Sequence, residues 1–180
     1  MQRKGYSATA VIIHWLLAVS TFFLFISSWW MLSLALPSEE LTFREFPFQL
    51  HKNLGITLVV LLALLLYVRL KHRPAPETSH TMRPWMHKLA VIDHVFIYLL
   101  LFAVCISGYL SSSFSGWDTT LWWLIDLPRW GWEDEELNML FSDVHLWTSW
   151  ALLAVVALHV SGALYHAFRN DGLVRRMVRL

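Results

Sequence analysis

Nine histidines punctuate a chain that also holds 11 tryptophans and 11 phenylalanines. An imidazole in apolar surroundings must find a hydrogen-bond partner or a metal, because an unpaired polar group in hydrocarbon is costly. Four of the nine have a spacing that suits the second choice. His145 and His159 are 14 residues apart. On a helix that separation is about 21 Å of rise, and 14 steps of ~100° return to nearly the same face. One helix would therefore carry two imidazoles on one stripe, one high and one low. His51, near the start of an earlier apolar run, has the depth to oppose the upper one. His14, near the start of the first run, has the depth to oppose the lower one. Paired imidazoles from facing helices are the grip that holds a haem iron from both sides, and bundle cores house such cofactors.

Two smaller residues fit the same picture. Gly55 follows His51 by four residues and Gly162 follows His159 by three, so each shares the face of its histidine and would leave room for a macrocycle. The plainer role for either glycine is to let two helices approach closely. For a single histidine in a span, a hydrogen bond across helices is likewise the plainer role. Four that pair by depth favour haem. A zinc site fits the upper level poorly, because two histidines stand there without a third donor and zinc wants three or four. The lower level is less decided. His94 lies at a depth similar to His14 and shares a face with His87, while His166 lies two turns beyond His159. Periodicity alone does not choose two of these.

The elements that must hold these side chains are four apolar runs, approximately 9–36, 48–72, 86–114 and 140–169. Each exceeds the roughly 20 residues needed to cross a ~30 Å hydrocarbon core. Leu36-Pro37, Phe46-Pro47, Pro74-Ala75-Pro76 and Pro84 divide them. The first run is too long for a removable signal peptide and has no clear cleavage site. The fold class expected is an all-α membrane protein, a single-domain four-helix bundle over 1–180 enclosing two haems. Basic residues set its direction. Arg3, Lys4, Arg69, Lys71, Arg73, Arg83, Lys88, Arg169, Arg175, Arg176 and Arg179 fall on one side. Only Arg44, Lys52 and Arg129 fall on the other, so the positive-inside rule puts both termini in the cytoplasm. Trp29 and Trp30 then approach the outer edge, and Trp85 and Tyr165 the inner one. The segment between the third and fourth runs, with Trp117, Trp122, Trp123, Trp130 and Trp132, is expected to lie on the outer membrane surface as an amphipathic loop.

Composition excludes several classes. At 57% hydrophobic and 15% charged, the balance is that of a membrane protein. A net charge of +1 gives no electrostatic footprint for nucleic acid. Cys105 is the one cysteine, so an internal disulfide, covalent c-type haem attachment, an iron–sulfur centre and a cysteine zinc site are all excluded.

The ordered set of local patterns resembles the bacterial cytochrome b561 family of di-haem membrane cytochromes over nearly the whole chain. The first run carries Ile13-His14-Trp15-Leu16, and the second Leu50-His51-Lys52 followed by Gly55. The third carries Asp93-His94-Val95-Phe96-Ile97-Tyr98-Leu99-Leu100 and Ile106-Ser107-Gly108-Tyr109. The fourth carries Val144-His145, Leu158-His159 and His166, ahead of Asn170-Asp171-Gly172-Leu173 through Arg176-Met177. The resemblance implies two non-covalent haem b groups in a bacterial inner membrane. It implies His51 with His145 on a periplasmic haem, and His14 with His159 on a cytoplasmic one. His94 and His166 then become supporting or quinone-pocket residues, and His72, His80 and His87 solvated ones.

Two axial histidines fill the iron's coordination, which favours electron transfer over oxygen activation. Propionates need cationic or donor partners, for which Lys52 is placed at the outer haem and Arg69 and Lys88 near the inner one. The plainer role for Lys52 is to reach the headgroups. The activity expected is electron exchange between a periplasmic donor or acceptor and the quinone pool, with ubiquinone as substrate. Members of the family oxidise superoxide, and that is the alternative. Superoxide is an anion, whereas Asp118, Asp126, Glu133, Asp134, Glu135, Glu136 and Asp143 crowd the outer side against Arg129, which suits a basic partner protein better. Two alternatives of other classes are a haem-free proton or metal transporter using histidines and Asp93, and a membrane anchor for a larger respiratory enzyme.

Overall fold

Among the described residues four helices form, because long apolar stretches must satisfy their backbone groups internally when no water is at hand. The computed structural model describes residues 7–33, 45–72 and 84–170, together with Gly172, Val174 and Met177. In it α1 spans Ala8–Ser33, α2 Glu45–Lys71, α3 Pro84–Phe114 and α4 Glu135–Phe168. All four are long and apolar enough to cross a membrane. Arg3, Lys4, Pro37, Arg44, Arg73, Pro74, Pro76, Glu77, His80, Arg83, Asp171, Arg175, Arg176 and Arg179 lie outside the described residues.

The helix ends follow from local chemistry. Ser7 caps α1 by accepting the Ala10 N–H at 3.2 Å. Pro47 is tolerated in α2 because it falls in the first turn, where N–H groups lack intrahelical partners. Pro84 opens α3 for the same reason. α4 begins five residues before the expected 140, because Asp134 accepts the Leu137 N–H at 2.9 Å and Glu135 and Glu136 favour the positive end of the helix dipole. Asn170, in the left-handed region at φ +53°, follows its end.

The segment between α3 and α4 is more ordered than a plain loop, and its five tryptophans are exposed. It is an antiparallel hairpin of β1 (Thr119–Leu121) and β2 (Ile125–Leu127), with Thr119 opposite Leu127 and Leu121 opposite Ile125. Its tip bends onto α2. Asn53 Oδ1, on a fully buried side chain, accepts the Trp122 N–H at 2.7 Å, and Thr57 Oγ1 accepts from Trp122 Nε1 at 3.3 Å. Trp123 stacks on Phe46 with ring centres 5.4 Å apart. Tyr109 Oη donates to the Pro128 carbonyl at 2.6 Å, tying the far arm to α3.

The close helix pairs are α1–α2, α2–α3 and α3–α4. The apolar core is built from Ala10, Ile13 and Leu17 of α1, Leu58, Leu62, Leu65 and Val68 of α2, and Leu101 and Val104 of α3. α4 adds only Leu152. α4 thus packs mainly on α3, and the opposed histidine pairs lie between α4 and α1 and between α4 and α2.

Candidate functional site

At the hairpin end, His51 of α2 and His145 of α4 oppose one another with ring centres 6.1 Å apart. His145 Nδ1 lies 2.8 Å from the Val104 carbonyl oxygen, which can only accept, so Nδ1–H is the donor and Nε2 is left for a metal. The next turn of α3 makes room for that ring. A Cβ added to Gly108 would sit 2.8 Å from His145 Nδ1, closer than side-chain carbons come. Across the gap, His51 Nδ1 is buried and has no hydrogen-bond partner among the described residues. A cavity of about 520 Å³ opens between the two, bordered by Gly55, Gly108, Tyr109 and Lys52. That is within the ~300–1,000 Å³ of cofactor sites.

At the opposite end, His14 of α1 and His159 of α4 oppose one another at 6.3 Å between ring centres. His159 Nδ1 lies 2.8 Å from Asp93 Oδ2 of α3, which again leaves Nε2 without a hydrogen bond and open to a metal. His94 crowds in from α3, with its ring edge-on to His159 at 5.0 Å. Its Nδ1 is 2.5 Å from the Ala90 carbonyl of its own helix. Asp93, His94 and His159 bring ligand atoms within 4.8 Å of one another, a grouping open to a small cation as well.

These residues fit a bis-histidine haem on three observations. An ion held at ~2.0–2.1 Å by a nitrogen of each imidazole separates the ring centres by roughly 6 Å. Both opposed pairs meet that spacing, whereas His94 at 5.0 Å from His159 is too close, which favours His14 as the partner. The glycines are not packing contacts: a Cβ on Gly55 or Gly162 would meet nothing within 4 Å. Gly55 lines the cavity beside His51, as a planar macrocycle requires, and Gly162 is exposed. Finally, Nδ1 of each α4 histidine is already engaged, so both rings are held with the same nitrogen free.

The remaining expected contacts divide. Lys52 borders the cavity, and its Nζ donates to the Asp118 carbonyl at 3.1 Å. Arg69 donates to the Tyr98 hydroxyl, and the Tyr98 ring lies 6.3 Å from His94, so both belong to the lower level. Lys88, His72 and His87 are exposed. His166 stands 5.4 Å edge-on to Tyr165, below the paired histidines. The sequence reading gave no supporting role to Gly108 or Asn53, and gave Asp93 one only in a haem-free relay. Asp93 carried a usable signal: an acid inside an apolar span needs a partner.

Known proteins agree with this architecture. The family model described as prokaryotic cytochrome b561 matches residues 5–180. Cytochrome b561 homolog 2 of Escherichia coli (strain K12) is 29% identical over 177 residues, covering 97% of this chain and 92% of the relative.

Proposed function

The chain belongs to the prokaryotic cytochrome b561 family, a membrane electron-transfer family whose members imply b-type haem, and on that premise we propose a specific role. The protein passes electrons between a periplasmic donor or acceptor and the quinone pool of a bacterial inner membrane. Two haem b groups serve it, one held by His51 and His145 and the other by His14 and His159. The observation that carries this reading is the two opposed imidazole pairs, at 6.1 and 6.3 Å, strung on one helix. When bound, haem iron supplies reversible one-electron chemistry.

The chain's own residues supply position and insulation. Val104 and Asp93 fix the tautomer and tilt of the α4 histidines. Gly108 admits the His145 ring, and Gly55 and Gly162 keep space beside the ligands. The apolar helices exclude water and lower the local dielectric. An apolar groove of about 300 Å³ between α1 and α2 also reaches His51. Its Phe23, Ile26, Trp30 and Phe46 are exposed and apolar, which supports contact with a lipid-soluble carrier such as ubiquinone.

The hairpin end favours a basic partner there. Asp118 is ion-paired with Arg129 at 2.8 Å, while Asp126, Glu133, Asp134, Glu135, Glu136 and Asp143 are exposed. A field of that sign attracts cationic proteins and slows anions. The test is a dithionite-reduced minus oxidised spectrum of the purified protein, followed by reduction with ubiquinol. Soret and α bands with two haems per chain, reducible by quinol, are expected. A colourless protein ends the cytochrome reading. Fast, salt-insensitive superoxide decay coupled to ubiquinone reduction replaces the basic partner with superoxide as donor.

A further inference from the structure

The two α4 histidines rest on different supports. His145 leans on a neutral dipole, the Val104 carbonyl, at 2.8 Å. His159 leans on a carboxylate, Asp93 Oδ2, also at 2.8 Å. We propose that Asp93 is a positioning residue for His159 whose charge makes the haem at that level the lower-potential one of the two. The inference rests on the haem reading above and goes beyond it by making the two levels unequal.

The argument is electrostatic. A hydrogen bond from Nδ1–H to a carboxylate is charge-assisted and about twice as strong as one to a neutral acceptor. It draws the proton away from the ring and pushes electron density toward Nε2. Ferric iron carries one more positive charge than ferrous iron, so a richer donor and a nearby anion both stabilise the oxidised form. Reduction is then harder. The Asp93 side chain is only 20% exposed, so solvent screens the charge weakly.

An acid inside an apolar span is otherwise a liability. Asp93 lies about 14 Å along α3 from the start of the helix at Pro84. The groups that face it at this level are His159 and His94, with His14 beyond His159 and Arg69 reaching in from α2 onto Tyr98. The Arg69 cation works in the opposite sense. It is unchanged by substitution at position 93, so a variant there isolates the carboxylate.

The experiment is optical redox titration and low-temperature electron paramagnetic resonance of the haem-loaded protein, alongside Asp93→Asn and Asp93→Glu. Asp93→Asn should keep two haems per chain and raise one midpoint by about a tenfold change in the one-electron equilibrium, ~59 mV. The other midpoint should stay put. Only one of the two low-spin signals should change, and Asp93→Glu should restore most of the original potential. Repeating the pair of titrations in a His145→Ala background assigns the shift, because the single haem left must be the one that moves. His51→Ala serves the same purpose if that background does not assemble. Two unmoved midpoints, or two that move together, overturn the proposal. So does loss of one haem in both position-93 variants, which marks a purely structural contact. A wild-type protein without haem bands is a different outcome, since it removes the haem reading itself.

Discussion

The two histidine levels each oppose a pair of imidazoles and differ in nearly everything around it. At the hairpin end, His51 and His145 face a roomy cavity, a neutral carbonyl and a run of small residues on α3. At the other end, His14 and His159 sit in a crowd of ionisable and polar side chains, with Asp93 and His94 against His159 and with Tyr98 between His94 and Arg69. One level is shaped by space and the other by charge. Because α4 supplies a histidine to both, a change on α4 at one level should leave the other standing, and the kind of change that matters should differ between them.

The largest expected effect comes from removing a ligand. His145→Ala should take the haem content from two per chain to one, and His159→Ala should do the same while sparing the opposite haem. The check is a pyridine haemochrome assay with the reduced spectrum of each variant. Loss of both haems from either single substitution would mean that the levels are one cooperative unit, and the comparison would fall.

Gly108→Ala should be the next most damaging change, and at the upper level alone. The added Cβ would sit 2.8 Å from His145 Nδ1 and 2.9 Å from Cε1, so the ring must tilt and break its bond to the Val104 carbonyl. Lost support of a ligand typically costs 10–100-fold in metal affinity. Gly55→Ala at the same level meets open space and gives the contrast. It leaves the His145 bond to the Val104 carbonyl intact, so the haem affinity it costs comes from filling space beside His51 and not from a displaced ligand. Haem dissociation to apomyoglobin, followed separately for each band, reads both.

These contrasts mark how much of the molecule is legible in the sequence. The four helices are, because apolar length and proline punctuation act locally. The 14-residue spacing of His145 and His159 is, because it depends on one helix's own period. Contacts between helices are not. Periodicity gives the face on which Asp93 lies but not which side chain of α4 meets it. The cap at Asp134 hid in an acidic run that also reads as a solvated loop. The hairpin was hidden for a sharper reason. Its three-residue turn has no Asn-Gly or Asp-Gly signal, and places Trp122 at φ +46° and Trp123 at φ +58°, where bulky residues are uncommon. Two such residues cost of order 1–3 kcal/mol each. The Asn53 and Thr57 bonds and the Phe46 stack offset that cost, and all three lie some 70 residues away in sequence.

Asn53→Leu therefore tests the hairpin rather than the haems. It leaves the Trp122 N–H without its acceptor, which costs about 1–3 kcal/mol when the donor stays buried. A lower thermal midpoint and faster proteolysis within the hairpin are expected, with both haems retained. If one haem is lost with the hairpin, it should be the upper one, since Lys52 and Gln49 beside it also bond the hairpin through the Asp118 carbonyl.

The smallest effect is at the opposite end. Trp15 Nε1 donates to the Met177 carbonyl at 2.6 Å, joining the residue beside His14 to the stretch after α4. α1 and α4 are not a close helix pair, and this bond ties the His14 end of α1 to the stretch after α4. Trp15 is 48% exposed, which holds the bond's net value near the low end of 0.5–1.5 kcal/mol. Trp15→Phe removes the donor and keeps a ring. It should speed loss of the lower haem two- to threefold, by the ~1.4 kcal/mol per decade conversion, and leave the upper haem's rate unchanged. Equal acceleration at both levels would show that the tie steadies the whole bundle, not the lower pair, and would weaken the claim that each level keeps its own supports.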